Sequence, residues 1–311
     1  MLAVLALALP LLADVDAASH RGPRVRPPEC NVLPGEHGAN VWERAKVPEL
    51  RHYCDVVASA AAKLLPGSHM LPEVVTLADE AERLVPGRAT PMLLKGRALG
   101  QLGRYGEALV ALRAAHDRDD HALDDPAALL AWARSLELTG DTRAAHEAYR
   151  ALLPRADALA LADRGVAYLG AGMLAMSLGP SGIDEALAIL RQARRDSQDL
   201  LRSASTFALA LALARAGAGG EAAAVLTEAG AGDAATVMRD PRVVDAMGAS
   251  GRKEGAAVEA LALDVIGQHA AARARWRAYL DEGGEAGAWA AQARAGAAGG
   301  PARAPSRARR P

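Results

Sequence analysis

In PMLLKGRALGQLGRYGEALVALRAAHDRDD, residues 91–120, apolar side chains recur at helical spacing up to Gly103. They pause over Arg104-Tyr105-Gly106-Glu107 and resume at Ala108, Leu109, Leu112 and Ala115. Apolar positions three and four apart mark one face of a helix, so the stretch predicts two amphipathic helices joined by a tight turn. The pattern returns in register at Ala133, Gly140, Ala145 and Tyr149, then at Gly172, Gly179, Ala186, Leu190 and Ala193. Two further rounds place Ala210, Gly217, Ala222, Leu226 and Ala229, and then Ala260, Gly267, Ala272 and Trp276. Glycines 103, 140, 179 and 217 recur every 37 to 39 residues. The longer step to Gly267 is filled by residues 230–252, which leave room for a short extra helix. Residues 48–85 read as a degenerate first pair, and EAGAWAAQARAGA, residues 285–297, reads as a terminal helix with Trp289 covering the last repeat.

This phasing resembles the tetratricopeptide repeat (TPR), a pair of antiparallel helices repeated about every 34 residues. Gly96 matches the small residue where the two helices approach most closely, and Ala108 and Ala115 match small residues of the second helix. The resemblance covers roughly residues 48–297 and implies an all-α fold: a TPR-like α-solenoid of about five to six helix pairs plus a capping helix. It also implies that the first helix of each pair lines a concave groove for a protein or peptide. The groove positions would be Leu93 and Arg97, then Leu130, Arg134 and Glu137, then Leu169, Met173 and Met176. Phe207, Leu211 and Arg215 follow, and Leu261 and Asp264 end the series. A peptide apolar in its middle, with an acidic group near Arg97 and Arg134, would suit such a groove. The competing expectation is that these apolar residues pack inside a tightly wound solenoid.

The N-terminus places the protein in a compartment. LAVLALALPLL, residues 2–12, is an uncharged apolar run of signal-peptide length, and Val15-Asp16-Ala17 fits a cleavage site, so residues 1–17 are expected to be a leader. No Lys or Arg precedes the run. No later run reaches transmembrane length. Residues 18–47 read as an extended lead-in, rich in proline and arginine at its start, and the basic, proline-rich residues 298–311 read as a disordered tail. Cys30 and Cys54 are the chain's two cysteines. In an oxidising compartment they would form one disulfide tethering the lead-in to the first helix. Zinc held by Cys30, His37, His52 and Cys54 is the alternative. Its spacing is unlike the usual paired knuckles, and His52 and Cys54 would point apart on a helix. Free thiols are the third possibility.

Charge and motifs narrow the chemistry. The net charge of −1 gives no electrostatic case for nucleic acid or an anionic membrane. No phosphate loop, H-E-x-x-H, C-x-x-C or nucleophile elbow occurs. HDRDDHALDD, residues 116–125, is rich in metal-ligand types but reads better as a solvated loop in which Asp124 or Asp125 caps the next helix. The expectation is a non-catalytic protein–protein interaction scaffold of the bacterial cell envelope, periplasmic or secreted, without cofactor or metal. A cytoplasmic adaptor, or an accessory subunit of an envelope-assembly enzyme, is the alternative.

Overall fold

The computed structural model describes residues 30, 41–64, 68–229, 248–265, 267–282 and 289–299. The expected leader, most of the lead-in, the insertion 230–247 and the tail from residue 300 lie outside the described residues. Among the described residues there is no strand, and thirteen α-helices follow one another. They are α1 (Val41–Lys63), α2 (Leu71–Leu84), α3 (Ala89–Gln101), α4 (Tyr105–Arg118), α5 (Pro126–Thr139), α6 (Thr142–Leu152) and α7 (Leu161–Ser177). Then come α8 (Ile183–Asp196), α9 (Asp199–Arg215), α10 (Gly219–Glu228), α11 (Gly248–Val265), α12 (His269–Asp281) and α13 (Ala290–Ala297). The first helix begins earlier than the sequence pattern suggests. WERAK is built of helix-compatible residues, and α1 runs on through Pro48, where the missing N–H removes one backbone bond. Residues 248–252 of the expected insertion belong to α11.

Successive helices pack in adjacent pairs, α1 on α2 through α11 on α12, and α13 packs on α12. From α3/α4 onward, five pairs turn at a glycine in the left-handed region: Gly103, Gly140, Gly179, Gly217 and Gly267 have φ of 77°, 94°, 94°, 82° and 78°. An L side chain is strained there, whereas glycine is not. At four of the five, the residue after the glycine closes the helix end with its N–H. Arg104 donates to the Leu99 carbonyl, Asp141 to Leu136, Ala218 to Leu213 and Gln268 to Leu263, at 2.9–3.0 Å. At the fifth, Pro180 follows Gly179 and has no N–H to give, and the chain makes a short 3-10 turn at Pro180–Gly182 instead.

Within a pair, contact is closest where the first helix carries a small residue. A Cβ on Gly96 would sit 2.5 Å from Leu112 Cγ, and one on Gly172 the same distance from Leu190 Cγ. First helices also pack on the first helices of the neighbouring pairs, α1 on α3, α3 on α5, and so on to α9 on α11. In addition, α11 reaches back to α5 and α7. Every residue from Leu169 to Met176 and from Ala204 to Ala214 is buried. A helix that is apolar on all sides is an interior helix, and α7 and α9 are the interior of this molecule. The second helices keep one solvated face, crossed by ion pairs such as Arg118–Glu82 at 2.7 Å and Arg194–Glu228 at 2.6 Å. Solvent screening keeps exposed pairs of this kind weak.

At the N-terminal end, Cys30 and Cys54 are disulfide-bonded with Cα atoms 5.8 Å apart. Cys30 is buried in a cluster with Tyr53, Val57, Val74 and Leu94. The zinc and free-thiol readings are thereby set aside, because each sulfur is bonded to the other. His52 instead faces Glu80, 3.5 Å away. No described helix is long and apolar enough to cross a membrane.

Candidate functional site

The residues expected to line a concave groove fall into two sets. Leu169, Met173, Met176, Phe207 and Leu211 belong to one apolar cluster, joined by Ala257, Ala260, Trp276 and Trp289 from the last helices. Met173 is 0 %, Met176 1 %, Phe207 2 % and Leu211 0 % exposed. The cause is the return of α11 onto α5 and α7, which covers the middle of the inner face with the chain's own side chains. These five residues hold the core and offer no open surface to a partner. Leu130 is buried in the neighbouring cluster of α5 and α6.

Leu93 and Arg97 are half-buried and still reached by solvent, whereas Arg134 is half-buried as a residue but has its Nη1 buried, so its charged end faces the interior. Arg97 Nη1 on α3 donates to Asp125 Oδ2 at 3.2 Å. Asp125 in turn caps α5, accepting from the backbone N–H groups of Ala127 at 3.4 Å and Ala128 at 3.2 Å. This is the capping role that the acidic stretch 116–125 suggested. Nearby, burial on the first turn of α7 raises the pKa of Asp163, and the Arg97 guanidinium partly offsets the shift. The Arg97 cation is therefore already paired with Asp125 of its own chain, and an incoming acid must compete with it.

Deeper in, Tyr149 Oη on α6 donates to Glu137 Oε2 on α5 at 2.8 Å. Glu137 is buried, and its Oε1 has no hydrogen-bond partner among the described residues. Burial lifts the Glu137 carboxyl above the usual range, against the pull of Arg134 and of the Tyr149 hydroxyl. Burial also pushes the Tyr149 phenol well up. Burial draws the Arg134 guanidinium down, but Tyr149, Glu137 and Tyr105 outweigh it and hold it above its ordinary range. The group sits tightly over α7, since a Cβ on Gly170 would lie 2.7 Å from the Tyr149 ring carbon Cζ. The Tyr149–Glu137 hydrogen bond ties α6 to α5.

A scan against protein-family models matches none, and a search of curated proteins finds no match. In the acidic loop, His121 Nδ1 lies 2.9 Å from Asp124 Oδ2 and Asp119 accepts from the His121 backbone N–H. Among the described residues no group of three or more His, Cys, Asp or Glu side chains is placed to hold a metal ion.

At the opposite end, Arg215 donates from Nη1 to the Met176 carbonyl oxygen at 2.5 Å and lies 5.8 Å from the Trp289 ring centre. Trp289 stacks on Trp276 at 6.4 Å, so α13 closes the apolar cluster as the sequence suggested. The pattern reading did not single out Asp163 or Gln292. For Asp163 the available signal was its place in the first turn of a helix facing Arg97. For Gln292 it was a lone amide among the alanines of α13.

Proposed function

We propose that the chain is an exported, TPR-like α-solenoid that serves as a non-catalytic protein–protein interaction scaffold of the bacterial cell envelope. The observation that carries the reading is the pairing of a repeated helix–glycine–helix unit with the Cys30–Cys54 disulfide. Stacked helix pairs extend a surface without building a reaction centre. A disulfide between a chain's two cysteines belongs to an oxidising compartment. The apolar run at residues 2–12 supports export by the same route. In this reading the partner meets the half-buried end of the inner face, around Leu93, Arg97, Arg134 and Asp163, rather than the closed middle.

Intact mass of the protein from its native host, with and without reductant followed by alkylation, tests the reading. Loss of residues 1–17 together with an oxidised cysteine pair is the expected result. A full-length chain with two alkylatable thiols overturns export and favours a cytoplasmic adaptor. Site-specific photo-crosslinkers at positions 93 and 97, compared with position 110 on the exposed face of α4, then locate the partner surface. Equal crosslinking at all three positions argues against the inner face.

A further inference from the structure

The third and fourth helix pairs meet over a small polar group inside an otherwise apolar interior. Glu137 lies in the last turn of α5 and is 1 % exposed. Its Oε2 accepts from Tyr149 Oη of α6, itself fully buried, and its Oε1 has no hydrogen-bond partner among the described residues. Bare backbone of α7 closes over the pair. A Cβ on Gly170 would lie 2.7 Å from the Tyr149 ring carbon Cζ and 3.2 Å from Glu137 Oε2. One carboxyl group therefore sits where α5, α6 and α7 come together. The same α7 carries Leu169, Met173 and Met176 into the closed apolar cluster.

Three features of the position favour a neutral carboxyl. Burying an ionised carboxylate is costly. This one has a single donor, where an ionised carboxylate has about four acceptor positions. It also stands at the C-terminal end of α5, where the last carbonyls repel an anion. Arg134, one turn earlier, pulls the other way, and burial prevails. Among the described residues Arg134 and Tyr149 are the titratable groups that bear on the carboxyl. The phenol is pushed well up and the guanidinium is held above its ordinary range. Of these three groups, then, only Glu137 changes charge between about pH 4 and pH 8.

The other helices packed around α5 carry charges that are engaged elsewhere. Tyr105 of α4 faces Arg134. On α3, Lys95 is paired with Asp79 and Arg97 with Asp125. On α11, Glu259 is paired with Arg275, and Asp264 faces His269 and Trp276. Arg143, Glu147 and Arg150 of α6 are exposed, and His146 is half-buried one turn before Tyr149. Asp163 and Arg164 of α7 lie two turns before Gly170.

We propose that Glu137 is a pH-operated latch on the junction of α5, α6 and α7. Neutral, it lets α7 seat on the other two helices. Ionised, it loosens that seat, so that the segment around Leu169 opens locally. The latch is closed in acid and loosens as pH rises, because the folded junction prefers the protonated carboxyl. It depends neither on the compartment nor on what the inner face binds, so it stands or falls apart from the scaffold reading.

Hydrogen–deuterium exchange of the full-length protein, read by mass spectrometry from pH 5 to pH 8, tests the latch against Glu137→Gln, which stays neutral throughout. The ratio of wild-type to variant exchange cancels the intrinsic pH dependence of amide exchange. In peptides from residues 129–139, 142–152 and 161–177 that ratio should rise about tenfold across the series, while in α1 and α2 it stays flat. A ratio that is flat in all helices, or that rises equally in all of them, overturns the proposal. Should Glu137→Gln fail to fold, the wild type is read against its own α1 and α2 peptides after correction for intrinsic rates. Protection of α5, α6 and α7 that does not fall relative to those peptides as pH rises overturns the proposal as well.

Discussion

Glu137 is a buried carboxyl held by a single hydrogen bond, from the Tyr149 hydroxyl. One of its oxygens is bonded to Tyr149 and the other has no hydrogen-bond partner, so removing the phenol leaves a buried carboxyl with neither. Tyr149→Phe is expected to destabilise the fold by about 1–3 kcal/mol, read as a lower urea midpoint at pH 7 with an unchanged slope. The same site gives a pH signature. The folded-state pKa of Glu137 lies above its ordinary value of 4.5, so the folded protein binds the proton more readily than the unfolded chain does. Its stabilising contribution is complete below pH 4.5 and is lost as pH rises through the raised value. Compared with Glu137→Gln, the wild type should gain stability as pH falls through that window and gain nothing further beneath it. Urea midpoints of the two proteins from pH 7 to pH 4 test this; a constant difference across the series would show that Glu137 does not titrate differently on folding.

At the scale of the helix pair, glycine works in two separable ways. At Gly140 no atom lies within 4 Å of a built Cβ, but φ is +94°. Gly140→Ala should therefore cost about 1–2 kcal/mol through backbone strain alone, and Gly140→Asn less, because Asn tolerates that region. Gly172 is an ordinary helical residue, where alanine would gain about 1 kcal/mol of helix propensity. Its Cβ, however, would meet Leu190. A net loss in Gly172→Ala, eased by Leu190→Val, would show that the contact outweighs the propensity; thermal midpoints of the single and double variants decide it. This division also explains what could be read from the sequence. Turn glycines act locally, so positions 103, 140, 179, 217 and 267 showed their spacing without any knowledge of the rest of the fold. The sequence pattern places the first pair from residue 48, whereas α1 begins at Val41 and runs through Pro48.

For the whole molecule, the decisive feature is the return of α11 onto α5 and α7. It joins helices far apart in the chain, and no single segment encodes that. The sequence did hold one trace of it. ASTFALALALA, residues 204–214, has no charged residue at all, which is the mark of a helix covered on every side. By contrast the N-terminal end of the stack is nearly self-contained: Cys30, Tyr53, Val57 and Val74 form a cluster separate from that of Met173 and Phe207, which the last helices join. The two ends should therefore respond differently to truncation. A chain ending at residue 229 loses Ala257, Ala260, Trp276 and Trp289 from the central cluster. It should bind the dye ANS strongly and self-associate, because capping elements keep such stacks soluble. A chain beginning at residue 87 loses the disulfide-linked pair and its contacts with Leu94 and Ala98, yet leaves the central cluster intact. It should stay monomeric and helical with a lower midpoint. ANS fluorescence and sedimentation of both truncations test the contrast. A C-terminal truncation that stays monomeric and dye-silent would mean that the inner face is held open by its own helix packing, and Met173, Met176 and Phe207 would then return as a surface for the partner.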